Sequence, residues 1–226
     1  MKRSKRPLWR RVGFVLLHPG RAYRLVRRRL IRKAALWNLK LRLRGLEVGS
    51  EEWKILQEKV SRVGGELGEA LRALFYARSL CKCGANPRFF PGVIMAMPHN
   101  IELGDEVTLN RGVYIAAQTK VTIGNHVLIG PYVHINSGNH RFDDPAVPIR
   151  QQGKALKPIV IEDDVWIAAN VVVTAGSHIG RGSVVMAGAV VSGTIEPYSV
   201  VGGIPARVVR RRGQRAVVAM QRQSTH

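Results

Sequence analysis

The sequence predicts a mostly β protein, a parallel β-helix built from hexapeptide repeats, on three observations. The first is a ladder of aliphatic residues six positions apart: Ile161, Ile167, Val173, Ile179, Val185 and Val191. A period of six fits neither the 3.6 of a helix nor the alternation of an ordinary strand. It fits a triangular coil of 18 residues, three hexapeptides each giving one short strand and one turn. The second is the upstream continuation of the ladder in two further registers, Leu103–Leu109–Ile115 and Ile123–Ile129–Ile135. The third is a companion row of small or β-branched residues four positions after each aliphatic, Val165, Val171, Ser177, Ser183 and Ala189, as a tight corner requires.

The interruptions of the ladder are as informative as its rungs. The step from Ile115 to Ile123 is eight, so two residues bulge at Gln118–Lys120. The step from Ile135 to Ile161 is 26, and the intervening residues 137–158 hold Pro145, Pro148, Gly153 and Pro158. This segment is expected to leave the prism as an external loop. Gly104, Gly124, Gly130 and Gly180 directly follow a ladder residue, where a permissive backbone is expected in the turn.

Ahead of the repeats lies a different composition. Residues 1–44 hold sixteen of the 36 Lys and Arg and no Asp or Glu, while the remaining 182 residues carry 20 basic and 15 acidic groups. The charge therefore belongs to an N-terminal arm, residues 1–45. Val12–Leu17 is apolar but far shorter than a membrane span. No small-residue cleavage site follows it, which argues against a secretory signal. From Tyr23 a helical stripe runs through Val26, Leu30, Ala34, Trp37 and Leu41, with Arg24, Arg27, Arg28, Arg32 and Lys33 opposite. Such a helix suits an anionic membrane surface; packing against the domain is the other reading. A basic patch alone gives only non-specific phosphate affinity, and no nucleic-acid-binding motif accompanies it.

The alternation Leu39, Leu41, Leu43 predicts a first strand over 39–48. Residues 46–85 read as a helical segment, split at Gly64–Gly65. Cys81 and Cys83 are too close in sequence for a common structural disulfide and lack further ligands for zinc. Reduced, partly buried thiols are expected. The β-helix is assigned to 86–205 and a basic C-terminal tail to 206–226.

Four stretches then carry a resemblance: NSGNHRFDDPAVPIRQQG (136–153), KPIVIEDDVWIAANVVV (157–173), MAGAVV (186–191) and PYSVVGGIPARVVR (197–210). In order and spacing they resemble the hexapeptide-repeat acyltransferases, which fold as left-handed β-helices. The chain is similar to sugar O-acetyltransferases and to acyltransferases of polysaccharide biosynthesis. The hand comes from the resemblance, not from the period, since it departs from the right-handed crossover rule. The resemblance implies a cytoplasmic enzyme, peripheral on the inner membrane face if the arm binds lipid. It also implies a homotrimer with active sites between prisms, acetyl-CoA as donor, no metal, and a hydroxyl of a sugar or glycan precursor as acceptor.

By the same resemblance His140, at the start of the external loop, is the general base. An imidazole suits that task because it titrates near neutrality. Asp143 or Asp144 is placed to orient it or to cap a turn. Asn110 matches an active-site asparagine, whose amide can donate to a developing oxyanion; a turn role is the alternative. Trp166 matches a tryptophan that forms an acceptor-site wall or the cleft floor; packing at a subunit contact is the alternative. Ala169 and Ala187 match small positions along the pantetheine arm, and Ser192 a residue beside the nucleotide phosphates. There Gly193 replaces the usual Lys. Arg207 and Arg210 match a basic pair that reaches the 3′-phosphate-ADP, where the guanidinium fork suits phosphate oxygens. Ala168 replaces a turn glycine, and Gln118 stands where maltose-type enzymes carry an aspartate.

The period alone leaves other functions open. A zinc anhydrase on this fold needs three converging histidines, for which His99, His134 and His140 are candidates. A non-catalytic trimeric scaffold needs neither His140 nor the arginine pair. An amine acceptor, making a sugar N-acetyltransferase, needs the same base.

Overall fold

The computed structural model describes residues 19–214. The chain divides after Gly45 into two compact units. The first contains helix α1 (Pro19–Arg42), 24 residues with Pro at its first position, where a missing N–H costs nothing. Val12–Leu17 lies outside the described residues, as do the side chains of Tyr23 and Val26. The strand expected over 39–48 does not form: α1 runs through Arg42 and a turn follows. Leu, Lys and Arg are good helix formers, and the segment lacks the β-branched residues that favour a strand.

The second unit opens with α2 (Glu51–Arg62) and α3 (Gly65–Ala77), which break at Gly64–Gly65 as expected. Ser50 caps α2 by accepting from the Trp53 N–H at 3.2 Å. Glu51 and Glu52 in the first turn and Lys59 and Arg62 in the last suit its dipole.

Six coils follow. The first is β1 (Lys82–Cys83), β2 (Arg88–Phe89) and β3 (Ile94–Ala96); the second β4 (Ile101–Leu103), β5 (Thr108–Leu109) and β6 (Tyr114–Ala116); the third β7 (Val121–Ile123), β8 (Leu128–Ile129) and β9 (His134–Asn136). A hairpin of β10 (Gly138–His140) and β11 (Lys154–Leu156) intervenes. The fourth coil is β12 (Ile159–Ile161), β13 (Trp166–Ile167) and β14 (Val172–Val173); the fifth β15 (His178–Ile179), β16 (Val184–Val185) and β17 (Val190–Val191); the last β18 (Thr194–Ile195) and β19 (Ser199–Gly202), closed by β20 (Arg207–Arg211). The coils thus begin at Lys82, and Arg207–Arg211, read as tail from sequence, are a strand antiparallel to β19. Residues 215–226 of that tail lie outside the described residues.

Successive coils stack into three parallel sheets. Sheet A runs β1-β4-β7-β12-β15-β18, sheet B runs β2-β5-β8-β13-β16-β19 and ends on β20, and sheet C runs β3-β6-β9-β14-β17. Register pairs Ile161 with Ile179, eighteen residues on, and Leu103 with Ile123, twenty on. Every predicted rung is buried to within 1% of complete, and the companion residues Val165 to Ala189 are equally buried. The ladder also extends further back than the aliphatics do, to Met95, Phe89 and Cys83, through two six-residue steps and one of eight. Cys83 is half-buried there, and burial raises its thiol pKa; Cys81 is exposed and both are free.

The turn glycines have a different reason from the expected one. At the corners between sheets A and B and between sheets B and C the left-handed position lies three residues after the rung, where Glu106, His126, Tyr132, Asp164 and Asn170 have φ between 56 and 59°. Gly104, Gly124, Gly130 and Gly180 are not left-handed. They are glycine because the next coil lies against them. A Cβ on Gly130 would sit 2.7 Å from the Ala168 carbonyl carbon, and one on Gly104 2.6 Å from Asn125 Oδ1.

The helices close the open edge of the first coil, whose unpaired backbone would otherwise be a liability. The Met95 N–H donates to Gln57 Oε1 at 2.9 Å, the Gly92 N–H to Ser61 O at 2.9 Å, and the Tyr76 hydroxyl to Val93 O at 2.8 Å. Trp53 stacks on Phe75 at 5.1 Å, and Tyr76 meets Phe89 of the first coil at 5.1 Å.

Candidate active site

One edge of the prism, between sheets C and A, is widened in its first three coils, where the step from rung to rung is eight, eight and 26 residues. It holds residues 97–100, 117–120, 137–158, 174–177 and 192–193 in successive coils. The two-residue excess at Gln118–Lys120 is therefore not isolated: the coil before it has the same excess at the same edge, and the coil after it carries the external loop. Asn100 Nδ2 donates to Ala117 O at 2.9 Å, which ties the first widening to the second. Buried Ser137 pins the root of the loop, accepting from the Thr119 N–H and donating to Thr119 O, both at 3.0 Å. Gln118 lies beneath that root, since a Cβ on Gly138 would meet its Cδ at 2.8 Å.

The loop is a structured hairpin. His140 ends β10 opposite Lys154 and is exposed. The Arg141 N–H donates to Gly153 O at 3.1 Å, and Gln152 Nε2 donates to Val147 O at 2.6 Å and Asp144 O at 2.8 Å. Asp144 Oδ1 accepts from the Ala146 N–H at 2.9 Å, so it caps a turn. Neither Asp143 nor Asp144 bonds the His140 ring, which is exposed and has no hydrogen-bonding partner among the described residues.

A cavity of about 460 Å³ opens between α2 and sheet C. Trp53, Ile94, Met95, Met97 and Tyr114 give it apolar and aromatic walls, and Gln57, Lys54, Glu58 and His99 supply polar groups. Met97 and His99 belong to the same widened edge as the His140 hairpin, two coils earlier. At the usual strand spacing this is roughly 10 Å along the prism. The ladder reading did not reach this cavity. Its sequence signal is Tyr114, an aromatic residue one position before a rung, where the side chain must point outward. The His134 ring lies tilted against Tyr114 with centroids 5.0 Å apart.

The remaining candidates lie elsewhere on the prism. Asn110, Ala169 and Ala187 follow the rungs of sheet B, in the second, fourth and fifth coils, and so line the edge between sheets B and C. Asn110 Oδ1 accepts from the Arg111 N–H at 2.8 Å, as a turn asparagine does. Its Nδ2 is left for other partners. Trp166 stands on the outer face of sheet B, 52% exposed, between Leu128 and Val184. Ser192 is exposed on the His140 edge in the fifth coil. Arg207 and Arg210 are exposed on β20; among the described residues their guanidinium groups bond backbone carbonyls, of Ala206 and of Gln214 and Arg211. By contrast Arg211 holds Pro197 O and Ser199 Oγ, and Arg212 holds Asp164. Within one chain, then, His140 and Asn110 are on different edges with sheet C between them, and Trp166 is on a face remote from His140. The three histidines His99, His134 and His140 do not converge, and no group suited to a metal ion occurs among the described residues.

Comparison with known proteins bears on this geometry. Residues 158–193 match the family model described as bacterial transferase hexapeptide (six repeats). A hexapeptide-repeat containing acetyltransferase of Vibrio cholerae O1 biovar eltor, solved with acetyl coenzyme A, is 33% identical, with 72% of this chain and 87% of that one covered and a TM-score of 0.65. This chain belongs to the hexapeptide-repeat acetyltransferases. Another structure similar to this family member is a galactoside acetyltransferase in complex with coenzyme A, 27% identical over 76% of this chain and 90% of that one, TM-score 0.63. A probable acetyltransferase of Mycobacterium tuberculosis is 40% identical over 119 residues, which are 53% of this chain but only 40% of that protein.

Proposed function

We propose that the protein transfers an acetyl group from acetyl-CoA to a hydroxyl of a sugar or glycan precursor, directly and without a covalent enzyme intermediate. His140 takes the acceptor proton as the oxygen attacks the thioester carbonyl. The carbon–sulfur bond then breaks, and the imidazolium returns the proton to the departing CoA thiolate. The Asn110 amide donates to the carbonyl oxygen as charge develops there. The observation that carries the reading is the unpartnered His140 held on an anchored hairpin, on the same edge as an aromatic cavity of sugar size.

The two halves of the reaction fall on two edges, which favours a site completed between neighbouring prisms of a homotrimer. The row Asn110, Ala169, Ala187 gives the donor a channel of small side chains, with Arg207 and Arg210 free to meet its phosphates. The row Met97, Gln118, His140 gives the acceptor its pocket, and the Gln118 amide in place of a carboxylate makes that pocket different from the maltose-type one. Exposed Leu128, Trp166 and Val172 on the flat faces supply apolar surface for the contact between copies. Acetyl-CoA as donor places the reaction in the cytoplasm, and a glycan precursor as acceptor points to polysaccharide biosynthesis.

An amine acceptor is the second reading. It is favoured by 44% identity over 54 residues to a tetrahydropyridine-dicarboxylate N-acetyltransferase of Staphylococcus aureus, a match that spans 23% of that protein. Thiol release from acetyl-CoA, screened over sugars, nucleotide sugars and amino sugars, separates the two. Activity on amino sugars alone, or on no sugar, overturns the hydroxyl assignment.

A further inference from the structure

Helix α1 has a composition that neither the prism nor the chemistry of acetyl transfer requires. Its 24 residues contain nine Lys and Arg and no acid. At 1.5 Å per residue it is about 36 Å long, yet no described helix is long and apolar enough to cross a membrane. Leu30 is 62% exposed, Trp37 65% and Leu41 38%, and Ala34 is exposed beside them. At 3.6 residues per turn these four fall within about 60° of arc. Arg27 and Lys33 lie about 60° to either side and Lys40 about 80°, and Ile31, also exposed, lies on the shoulder of the stripe.

We infer that α1 is an in-plane anchor for an anionic lipid surface. The stripe Leu30, Ala34, Trp37, Leu41 enters the boundary between headgroups and acyl chains, with the indole at the level where amphipathic rings settle. Arg27, Lys33 and Lys40 keep their stems along the apolar boundary and their charges among lipid phosphates. Charge selects among the occupants of such a face. Nine basic residues and no acid within one helix favour a polyanionic surface over a typical protein surface of mixed charge. A nucleic acid supplies the anions but leaves Leu30, Ile31 and Leu41 in water. An anionic bilayer meets both demands. The anchor is independent of the acetyl-transfer reading, because none of the residues assigned to that reaction belongs to α1.

The test is co-sedimentation of the full-length protein with vesicles of phosphatidylcholine, alone or with phosphatidylglycerol at about 30% of the lipid. The protein is expected to pellet with the anionic vesicles, and to do so less as salt is raised. Leu30→Ser/Trp37→Ser is expected to lower the partition at least about tenfold by removing apolar burial. Lys33→Gln/Lys40→Gln lowers it selectively for anionic vesicles. Thiol release with a soluble acceptor and the unfolding midpoint, read on the same samples, are expected to stay at wild-type values in both variants. Wild-type protein that pellets with neither vesicle, or equally with both, overturns the inference. So does a serine double variant that pellets undiminished, and if that variant binds a random RNA oligonucleotide as tightly as wild type, α1 is a phosphate-binding arm instead.

Discussion

The guanidinium of Arg72 donates to the carbonyl oxygen of Val63 at 2.6 Å, just beyond the end of α2. Its Nε donates to Phe89 O at 2.7 Å, in the first coil, and Nη1 also reaches Val60 O at 3.2 Å. The side chain is 1% exposed, and none of the ion pairs among the described residues includes it. It satisfies carbonyls that a helix end leaves open while fixing α2, α3 and the first coil to one another. Burial lowers its pKa from the usual arginine value.

Arg72→Ala is therefore expected to destabilise the fold by about 2–4 kcal/mol, because it strands several buried carbonyls at once. Arg72→Lys recovers only part, since an ammonium lacks the planar fork. Urea unfolding measures both, and a midpoint equal to wild type in Arg72→Ala would contradict the bonding described.

Acid lability is expected to come from the corners between sheets A and B. His178 Nε2 lies 2.7 Å from Glu162 Oε1, and the Arg181 N–H donates to Glu162 Oε2 at 2.8 Å. The His178 hydrogen bond first, and then the Arg181 N–H, hold the Glu162 pKa below its ordinary 4.5. The Asn125 N–H, at 2.7 Å, does the same for Asp163. A carboxylate with a depressed folded pKa stabilises above its unfolded pKa, and that contribution is lost as pH falls through the folded value. Stability should fall as pH drops below about 4.5, and Glu162→Gln/Asp163→Asn should flatten this limb. Both side chains are partly exposed, so the effect is modest. Thermal melts from pH 6 to about 3 read it directly; identical slopes in the two proteins would exclude these residues as its source.

His140→Ala is expected to lower kcat for acetyl transfer on the order of 10²–10⁴-fold. CoA binding, measured by calorimetry, should stay near wild type, because the hairpin is held by Ser137, Gln152 and Arg141 rather than by the ring. Asn110→Ala should also lower kcat while leaving the stability nearly unchanged. Loss of CoA affinity in His140→Ala would place the residue in the donor site instead.

Ala187→Trp tests the donor channel. The residue is exposed and follows a rung, so a large side chain there meets no core. The KM for acetyl-CoA should rise at least about tenfold with the unfolding midpoint unchanged, by direct obstruction of the pantetheine path. Equal KM values in mutant and wild type would move the channel to another edge.

Much of this architecture was legible in the chain. The six-residue period named the rungs, and the steps of eight and 26 located the widened edge and the loop that carries His140. Cys83, Phe89 and Met95 were missed as rungs because they are not aliphatic, although they keep the spacing. The strand expected at Leu39–Leu43 failed because an alternation of three leucines is weaker than the helix propensity around it. The glycines after the rungs were placed correctly for a reason that did not hold: they answer to the backbone of the next coil, which the local sequence does not contain.

What the sequence determined by itself is whatever repeats along the chain: the rung positions, the corners, the external loop and the basic arm. Periodicity reports how each hexapeptide folds onto the next, and that interaction is nearly one-dimensional. The tertiary structure decided what lies between elements distant in sequence. It closed the first coil with α2 and α3 through Arg72, Gln57 and Tyr76, and opened the cavity between Trp53 and Tyr114. It put His140 and Asn110 on different edges of the prism. Such relationships depend on which residues share an edge after stacking, and no single hexapeptide holds that information.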